Sequence, residues 1–140
     1  MAINRERAGE ERVSHVEVDF FEWKPDRRYD VVFFSFWLSH VPSGRFARFW
    51  RLVRDALGEG GRVLFFDTQS FESPHTVKES GREADDCTIK RRLNDGREFR
   101  VVKIFYEPAV LEDRMRELGW SMSVEKTERF FLYGWGSAVR

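Results

Sequence analysis

Cysteine is almost absent from this sequence of 140 residues, and neither sign of charge is in excess. The single cysteine, Cys87, has no partner for an internal disulfide or for a cysteine zinc site. Lysine and arginine together number 24, as do aspartate and glutamate, so no net basic field holds a nucleic-acid backbone. The composition predicts no metal and no nucleic-acid partner, and it favours a cytoplasmic location.

Long hydrophobic runs are also missing. The longest apolar-dominated stretch, Val31–Leu38, is far shorter than the roughly 18 residues of a membrane helix, and the charged N-terminal residues lack the apolar core of a signal peptide. Aromatic residues, in contrast, make up 16% of the chain. Their rings supply burial that offsets the entropy of ordering. We expect a single globular domain over residues 1–140, with no membrane partner.

The first half of the chain has the pattern of three strands and one helix. The alternating run Val13–Phe20 predicts a strand, and the nearly continuous run Tyr29–Leu38 predicts a strand covered on both faces. Apolar residues recur at helical spacing from Phe46 to Leu57, and Gly58–Gly61 then precede the short strand-like run Arg62–Asp67. This order predicts parallel βαβ units in a layered α/β domain.

The second half begins with an insertion, residues 69–106. Its first part, residues 69–86, is polar and interrupted by glycine and proline, which predicts a loop or lid. The turn chemistry of Asn94–Gly96 predicts a hairpin between the strands that flank it. Pro108 then begins a second helix. Two strand-like runs follow and predict an antiparallel pair, Trp120–Lys126 and Phe130–Trp135.

Four motifs follow one another in a recognisable order. They are Asp19 at a predicted strand end, Tyr-Asp at 29–30, His-Val-Pro at 40–42 and Gly-Gly at 60–61. With the closing run FFLYGWGSA at 130–138, they resemble the class I S-adenosylmethionine-dependent methyltransferases. The resemblance implies a partial Rossmann-like sheet of parallel strands with a C-terminal antiparallel pair. It also implies S-adenosylmethionine as the cofactor and a small molecule as the methyl acceptor.

The glycine-rich cofactor turn of that family has no counterpart in this sequence. No Gly-x-Gly-x-x-Gly pattern lies between a strand and a helix, and the acidic residue that follows the family's second strand is missing too. The resemblance therefore implies an N-terminally incomplete domain without the first two strands, in which residues 3–12 are the end of a helix. We expect this fragment to be inactive alone and to self-associate through an exposed apolar edge at Val13–Phe20.

The resemblance assigns the cofactor contacts to two strand ends. Asp19 would accept a hydrogen bond from the adenine amino group, and the Phe20 amide would donate to a ring nitrogen. Ser35 and Phe36 match the stretch whose backbone meets the methionine end of the cofactor. The other interpretations are local: Asp19 ends a strand in a turn, and an aromatic strand of this kind forms core.

Three further residues are candidates for the acceptor side. Trp37 would form part of an apolar wall that excludes water, and Asp67, at the mouth of the same crevice, faces either the acceptor or solvent. His40 would act as a general base because imidazole titrates near neutral pH. Its other interpretation is a residue that caps or packs the start of the next helix. The basic run Lys90–Arg92 lies among aspartates, which favours a solvated face over a phosphate site.

Two other functions stay open. A noncatalytic binding or scaffold module would have its partial sheet completed by a partner chain. A nicotinamide-dependent reductase fragment would leave the His-Val-Pro and Gly-Trp-Gly features unexplained. Methyl transfer needs few catalytic side chains because the donor is already activated, so the absence of a catalytic triad does not argue against an enzyme.

Overall fold

The computed structural model describes residues 13–69 and 88–139. The helix end expected at residues 3–12 and most of the loop expected at 69–86 lie outside the described residues. Within them the chain forms six strands and two α-helices. These are β1 (Tyr29–Ser35), α1 (Phe46–Ala56), β2 (Leu57–Thr68), β3 (Thr88–Arg92), β4 (Glu98–Val102), α2 (Pro108–Glu117), β5 (Trp120–Lys126) and β6 (Phe131–Ala138). No described helix is long and apolar enough to cross a bilayer.

Four of the strands form one sheet in the order β1-β2-β6-β5. β1 and β2 run parallel, with Phe33 opposite Leu64. β6 runs antiparallel to both β2 and β5. A parallel pair needs a crossover connection, which α1 supplies, whereas a short turn is enough to join β5 to β6. The sheet confirms the predicted α/β fold, with parallel strands and a C-terminal antiparallel pair.

The spacing and the ends of the two helices explain where they form. In α1 the predicted apolar stripe, which includes Phe49 and Trp50, is buried. Gly58–Gly61, which precede the predicted strand Arg62–Asp67, already belong to β2. α2 begins at Pro108, whose fixed φ and missing N–H suit a first helical turn. The chain leaves α2 through Gly119 at φ +74°, a left-handed conformation that favours glycine.

Both helices pack on the same face of the sheet. The ring of Trp50 in α1 lies 5.8 Å from that of Phe34 in β1 and 5.1 Å from that of Trp120 in β5. Leu111 and Met115 of α2 are fully buried in the same cluster. The hydrophobic core of the described residues is therefore one-sided.

β1 departs from the prediction at its end and on its outer side. The strand ends at Ser35, and Leu38 lies in a 3-10 turn instead. Val31 and Phe33 are 57% and 60% exposed, so the expected cover on both faces is wrong for the described residues. The cause is position, since β1 is an edge strand and both helices lie on the other face.

The segment Val13–Phe20 is not the strand that its alternation predicts. It is irregular and runs into a 3-10 turn at Phe20–Glu22, and Val16 and Val18 are exposed. A strand needs a neighbour for its backbone hydrogen bonds, and no described strand lies beside this segment. The exposed apolar edge that was expected here belongs to β1 instead.

β3 and β4 form the predicted hairpin, a separate two-stranded sheet. Within its basic run, Lys90 pairs with Glu98 at 2.5 Å on an exposed face. The hairpin joins the main sheet at its base, where the Ile104 amide donates to the Ser39 carbonyl at 2.8 Å. The hairpin within the predicted insertion is thus observed, and the single domain over 1–140 stays a prediction.

β6 packs so closely between β2 and β5 that Gly136 leaves no space for a side chain. A Cβ atom at this position would overlap the carbonyl oxygen of Ser121 and lie 2.6 Å from Met122 Sδ. We expect Gly136→Ala to lower the free energy of unfolding by about 2 kcal/mol, because overpacking against backbone forces a shift. Gly44→Ala, where no atom lies within 4 Å of the added methyl group, is the control. Urea unfolding measures both variants, and equal midpoints would contradict the prediction.

Candidate functional site

The carboxyl ends of β1 and β2 meet at one edge of the sheet because these strands run parallel. Ser35 lies opposite Phe66, so the next residues along each strand, Phe36 and Asp67, are neighbours at this edge. In open α/β sheets, ligands bind in the crevice beyond such strand ends. This edge is therefore the candidate site.

Phe36 adopts a strained conformation at the end of β1. Its φ of 53° lies in the left-handed region, which costs a non-glycine residue on the order of 1 kcal/mol. Its N–H donates to the Phe66 carbonyl at 2.7 Å, and its ring lies 6.2 Å from that of Phe131. Strain of this kind concentrates at binding sites. Because the amide is already bonded, Ser35 and Phe36 offer carbonyl oxygens, a hydroxyl and a ring to a ligand.

Asp19 caps the 3-10 turn that precedes β1, so it lies in a turn as its local interpretation expects, although it ends no strand. Its Oδ1 accepts from the Phe21 amide at 2.8 Å. Within residues 13–69 and 88–139, nothing bonds to Oδ2 or accepts from the Phe20 amide. The Phe20 ring lies 6.1 Å from that of Trp37 and 5.2 Å from that of Phe49. The structure thus brings Phe20, which follows Asp19 in the chain, close to Trp37.

Asp67 is buried, so the expectation that its carboxylate faces the acceptor or solvent is wrong. Its Oδ2 accepts from the Ser39 amide at 2.9 Å, and its Oδ1 accepts from the Thr68 amide at 2.7 Å. Lys103 Nζ lies 3.5 Å from Oδ1 and donates to Ser39 Oγ at 2.6 Å. The carboxylate is turned inward because these donors converge on it from three parts of the chain. Asp67 therefore positions its neighbours and does not line an open crevice.

Lys103 is the site residue that sequence reasoning missed. It is 5% exposed, and its only signal was a lone lysine in the apolar run Val101–Phe105. Burial lowers the pKa of Lys103 below its usual value, because desolvation penalises the ammonium ion more than Asp67 favours it. The positive charge of Arg91 lowers it further.

His40 bonds to the hairpin and not to the helix that follows it. Its Nδ1 lies 2.6 Å from the carbonyl oxygen of Val102. A carbonyl oxygen only accepts, so Nδ1 donates this hydrogen bond, and in the neutral imidazole the lone pair is then on Nε2. The bonds of His40, Lys103 and Ile104 together hold the base of the hairpin against the candidate site.

A cleft lies at the opposite end of the sheet, and hydrogen bonds to helix ends explain its arginine residues. Arg28, Arg54 and Gly58–Arg62 line it. Arg28 Nη1 donates to the Asp55 carbonyl at 2.5 Å, and Arg54 Nη2 donates to the Gly119 carbonyl at 3.0 Å. Both guanidinium groups thus satisfy carbonyl groups at helix ends. In the part of the chain that the structure describes, no three His, Cys, Asp or Glu side chains are grouped like metal ligands.

The buried ammonium group of Lys103 predicts a pH dependence of stability. Its pKa is lowered in the folded chain, so between that pKa and 10.5 the unfolded chain binds more protons. The free energy of unfolding must then rise with pH in this interval, by at most about 1.4 kcal/mol per pH unit. We expect Lys103→Met to remove this rise and Lys126→Met, a surface control, to retain it. Denaturant unfolding from pH 7 to 10.5 makes the comparison; parallel curves for wild type and Lys103→Met would contradict the assignment.

The comparisons with known proteins give relatives among solved structures. No protein-family model matches the chain, and no curated protein sequence does so. The DhpI–SAH complex structure is 40% identical, with a TM-score of 0.79 over 99% of this chain and 61% of that chain. The DhpI–SAM–HEP complex is 42% identical, with a TM-score of 0.73 over 86% of this chain and 56% of that chain.

A more distant structure supports the fold alone. The 1,6-didemethyltoxoflavin-N1-methyltransferase of Burkholderia thailandensis, with bound 1,6-didemethyltoxoflavin and S-adenosylhomocysteine, is 17% identical. Its TM-score is 0.63 over 99% of this chain and 56% of that chain. The chain thus spans less than two thirds of the length of each of these solved chains. The chain is thus similar to DhpI over nearly all of its own length, and it shares the fold of the class I S-adenosylmethionine-dependent methyltransferases.

Proposed function

We propose that this chain forms part of a cytoplasmic transferase that methylates a small molecule with S-adenosylmethionine as cofactor. The observation that carries the proposal is the 40% identity, over 99% of the chain, to a protein solved with S-adenosylhomocysteine. The edge where β1 and β2 end supports it, because a strained Phe36 and a converging hydrogen-bond network lie there. The activity, the acceptor and the partners are proposals for the whole enzyme, of which this chain spans a part.

Asp19 and Phe20 fit the adenine end of the cofactor. Asp19 presents a carboxylate oxygen and Phe20 an amide one residue later, and neither group has a partner among the described residues. An adenine edge has the complementary pair, an amino donor beside a ring-nitrogen acceptor. The two contacts would fix the base at the 3-10 turn while the rings of Phe20 and Trp37 lie beside it.

Ser35, Phe36 and Trp37 fit the reacting end of the site. When bound, S-adenosylmethionine supplies an activated methyl group, so the protein has to position the acceptor and exclude water. Phe36 and Trp37 expose ring faces at the strand end, and such faces attract a cation. Ser35 adds a hydroxyl beside them. We therefore assign cofactor contacts to Ser35 and Phe36 and an acceptor-lining role to Trp37.

His40 is the candidate general base. The bond from Nδ1 to the Val102 carbonyl fixes the ring, and Nε2 is left to accept a proton from a hydroxyl or carboxyl acceptor. Asp67, first expected to line the acceptor site, is a positioning residue instead. It holds the Ser39 amide and so the backbone of the residue next to His40.

The chain alone should bind cofactor poorly. It spans 61% of the DhpI chain, and it has no glycine-rich turn to approach the methionine end. We expect titration calorimetry with S-adenosylhomocysteine to give a dissociation constant above about 100 μM. Each 1.4 kcal/mol of binding free energy that is lost with the missing contacts weakens the affinity about tenfold. Micromolar affinity would contradict this and show that the chain forms a complete cofactor site by itself.

The proposed adenine contact of Asp19 can be tested while the hydrogen bond that caps the 3-10 turn is kept. In a covalent fusion of this chain to the part of DhpI that it does not match, Asp19→Ser keeps one oxygen for the Phe21 amide and loses the second acceptor. We expect S-adenosylhomocysteine to bind about tenfold more weakly. Glu22→Ala, which removes an exposed ion pair with Arg48 on the same turn, should change affinity less than about twofold. Equal effects of the two substitutions on affinity would contradict the assignment of Asp19 as a cofactor contact.

The second candidate function is a noncatalytic module completed by a partner chain. The exposed outer side of β1 favours it, since Val31 and Phe33 have no described cover. The two functions differ in one measurement: the completed fusion either transfers methyl groups or only becomes more stable.

A further inference from the structure

Phe36 links the end of β1 to the 3-10 turn Leu38–His40 through an unfavourable backbone conformation. In the part of the chain that the structure describes, it is the one residue other than glycine with a positive φ. Three glycines share the positive φ and adopt it without steric cost: Gly60, Gly96 and Gly119. A link that required backbone geometry alone would favour glycine at position 36 as well. The strain that phenylalanine accepts here indicates that its ring has a role.

The ring of Phe36 packs against two other phenylalanine rings. Its centroid lies 5.8 Å from that of Phe66 in β2, at an interplanar angle of 89°, and 6.2 Å from that of Phe131 at the start of β6. The centroids of Phe66 and Phe131 are 4.7 Å apart. The register explains this contact, because Phe66 lies opposite Tyr133 and Phe131 is its diagonal neighbour on the same face. We call Phe66 and Phe131 the aromatic pair.

The aromatic pair offsets the strain of Phe36. The Phe36 amide donates to the Phe66 carbonyl at 2.7 Å, so β2 contacts this residue through both its backbone and its ring. Edge-to-face contacts between aromatic rings stabilise by free energies of the same order as the strain of one left-handed residue. Without the aromatic pair, the hydrogen bond alone would oppose that strain.

The backbone on both sides of Phe36 belongs to the candidate site. Ser35 precedes it at the end of β1, and Trp37 follows it and begins the 3-10 turn. The Trp37 carbonyl accepts from the His40 amide at 2.9 Å within this turn. A change of φ at Phe36 would rotate the two segments relative to each other. The cofactor contacts of Ser35 and Phe36 therefore depend on this one dihedral angle.

We propose that Phe66 and Phe131 are positioning residues that hold Phe36 in its left-handed conformation and so place the cofactor contacts at the end of β1. They act through Phe36, and Phe131 gives the C-terminal strand pair a role at the site. The part of the proposal that concerns cofactor rests on the proposed function. The conformation of Phe36 does not, and it is measured without ligand.

Nuclear magnetic resonance of this chain tests the conformation of Phe36. A positive φ brings the amide and α protons of a residue close together, so the nuclear Overhauser effect between them is strong. We expect this strong signal at Phe36 in the wild type and its loss in Phe131→Ala. Phe131→Tyr, which keeps the ring, should retain it. The control is Phe99→Ala, which removes a β4 ring that packs on Arg97 and should leave the signal unchanged.

Two substitutions at position 36 test the strain itself. Phe36→Gly and Phe36→Ala both remove the ring, and only glycine adopts a positive φ without strain. We expect Phe36→Gly to unfold at the higher urea concentration, although glycine is the less stable residue at an ordinary strand position. The opposite order of midpoints would overturn the proposal, as would a strong nuclear Overhauser effect at Phe36 that persists in a folded Phe131→Ala chain.

Cofactor affinity is measured in the fusion to the unmatched part of DhpI. We expect Phe131→Ala to weaken the binding of S-adenosylhomocysteine about tenfold, and Phe131→Tyr and Phe99→Ala less than about twofold. Equal losses of affinity in Phe131→Ala and Phe99→Ala, or no loss in Phe131→Ala, would overturn the positioning role. If the unmutated fusion does not bind, the proposed function fails, whereas the resonance signal and the urea midpoints still decide whether the aromatic pair holds Phe36.

Discussion

The parallel pairing of β1 with β2 is the constraint on which the rest of the structure depends. It requires a crossover, and α1 supplies this crossover with an aromatic stripe that covers one face of both strands. It also places two strand ends at the same edge, which makes Phe36 and Asp67 neighbours. An antiparallel pair would have put these residues at opposite ends of the sheet. The candidate site is thus a consequence of strand direction before any side chain is considered.

The exposed side of β1 and the irregular segment Val13–Phe20 have one physical cause. A strand needs a hydrogen-bonding neighbour, and an apolar face needs a layer that covers it. Beyond the free edge of β1, the described residues supply neither a neighbouring strand nor a covering layer. The segment that contains the alternating residues Val16 and Val18 therefore does not form a strand. The same shortage leaves Phe33 in water. Local sequence pattern favours these elements, and no neighbour among the described residues completes them.

Sequence alone predicted the elements that depend on local spacing and turn chemistry. The helical spacing of α1, the Asn94–Gly96 hairpin and the C-terminal strand pair are all observed. It could not predict the contact of Asp67 with Lys103, because these residues are 36 apart and meet only after the hairpin joins the sheet. Nor could it place β1 at an edge, since a run of valine and phenylalanine is the same whether one face is covered or two. Asp19 and Phe20 stay predictions as cofactor contacts.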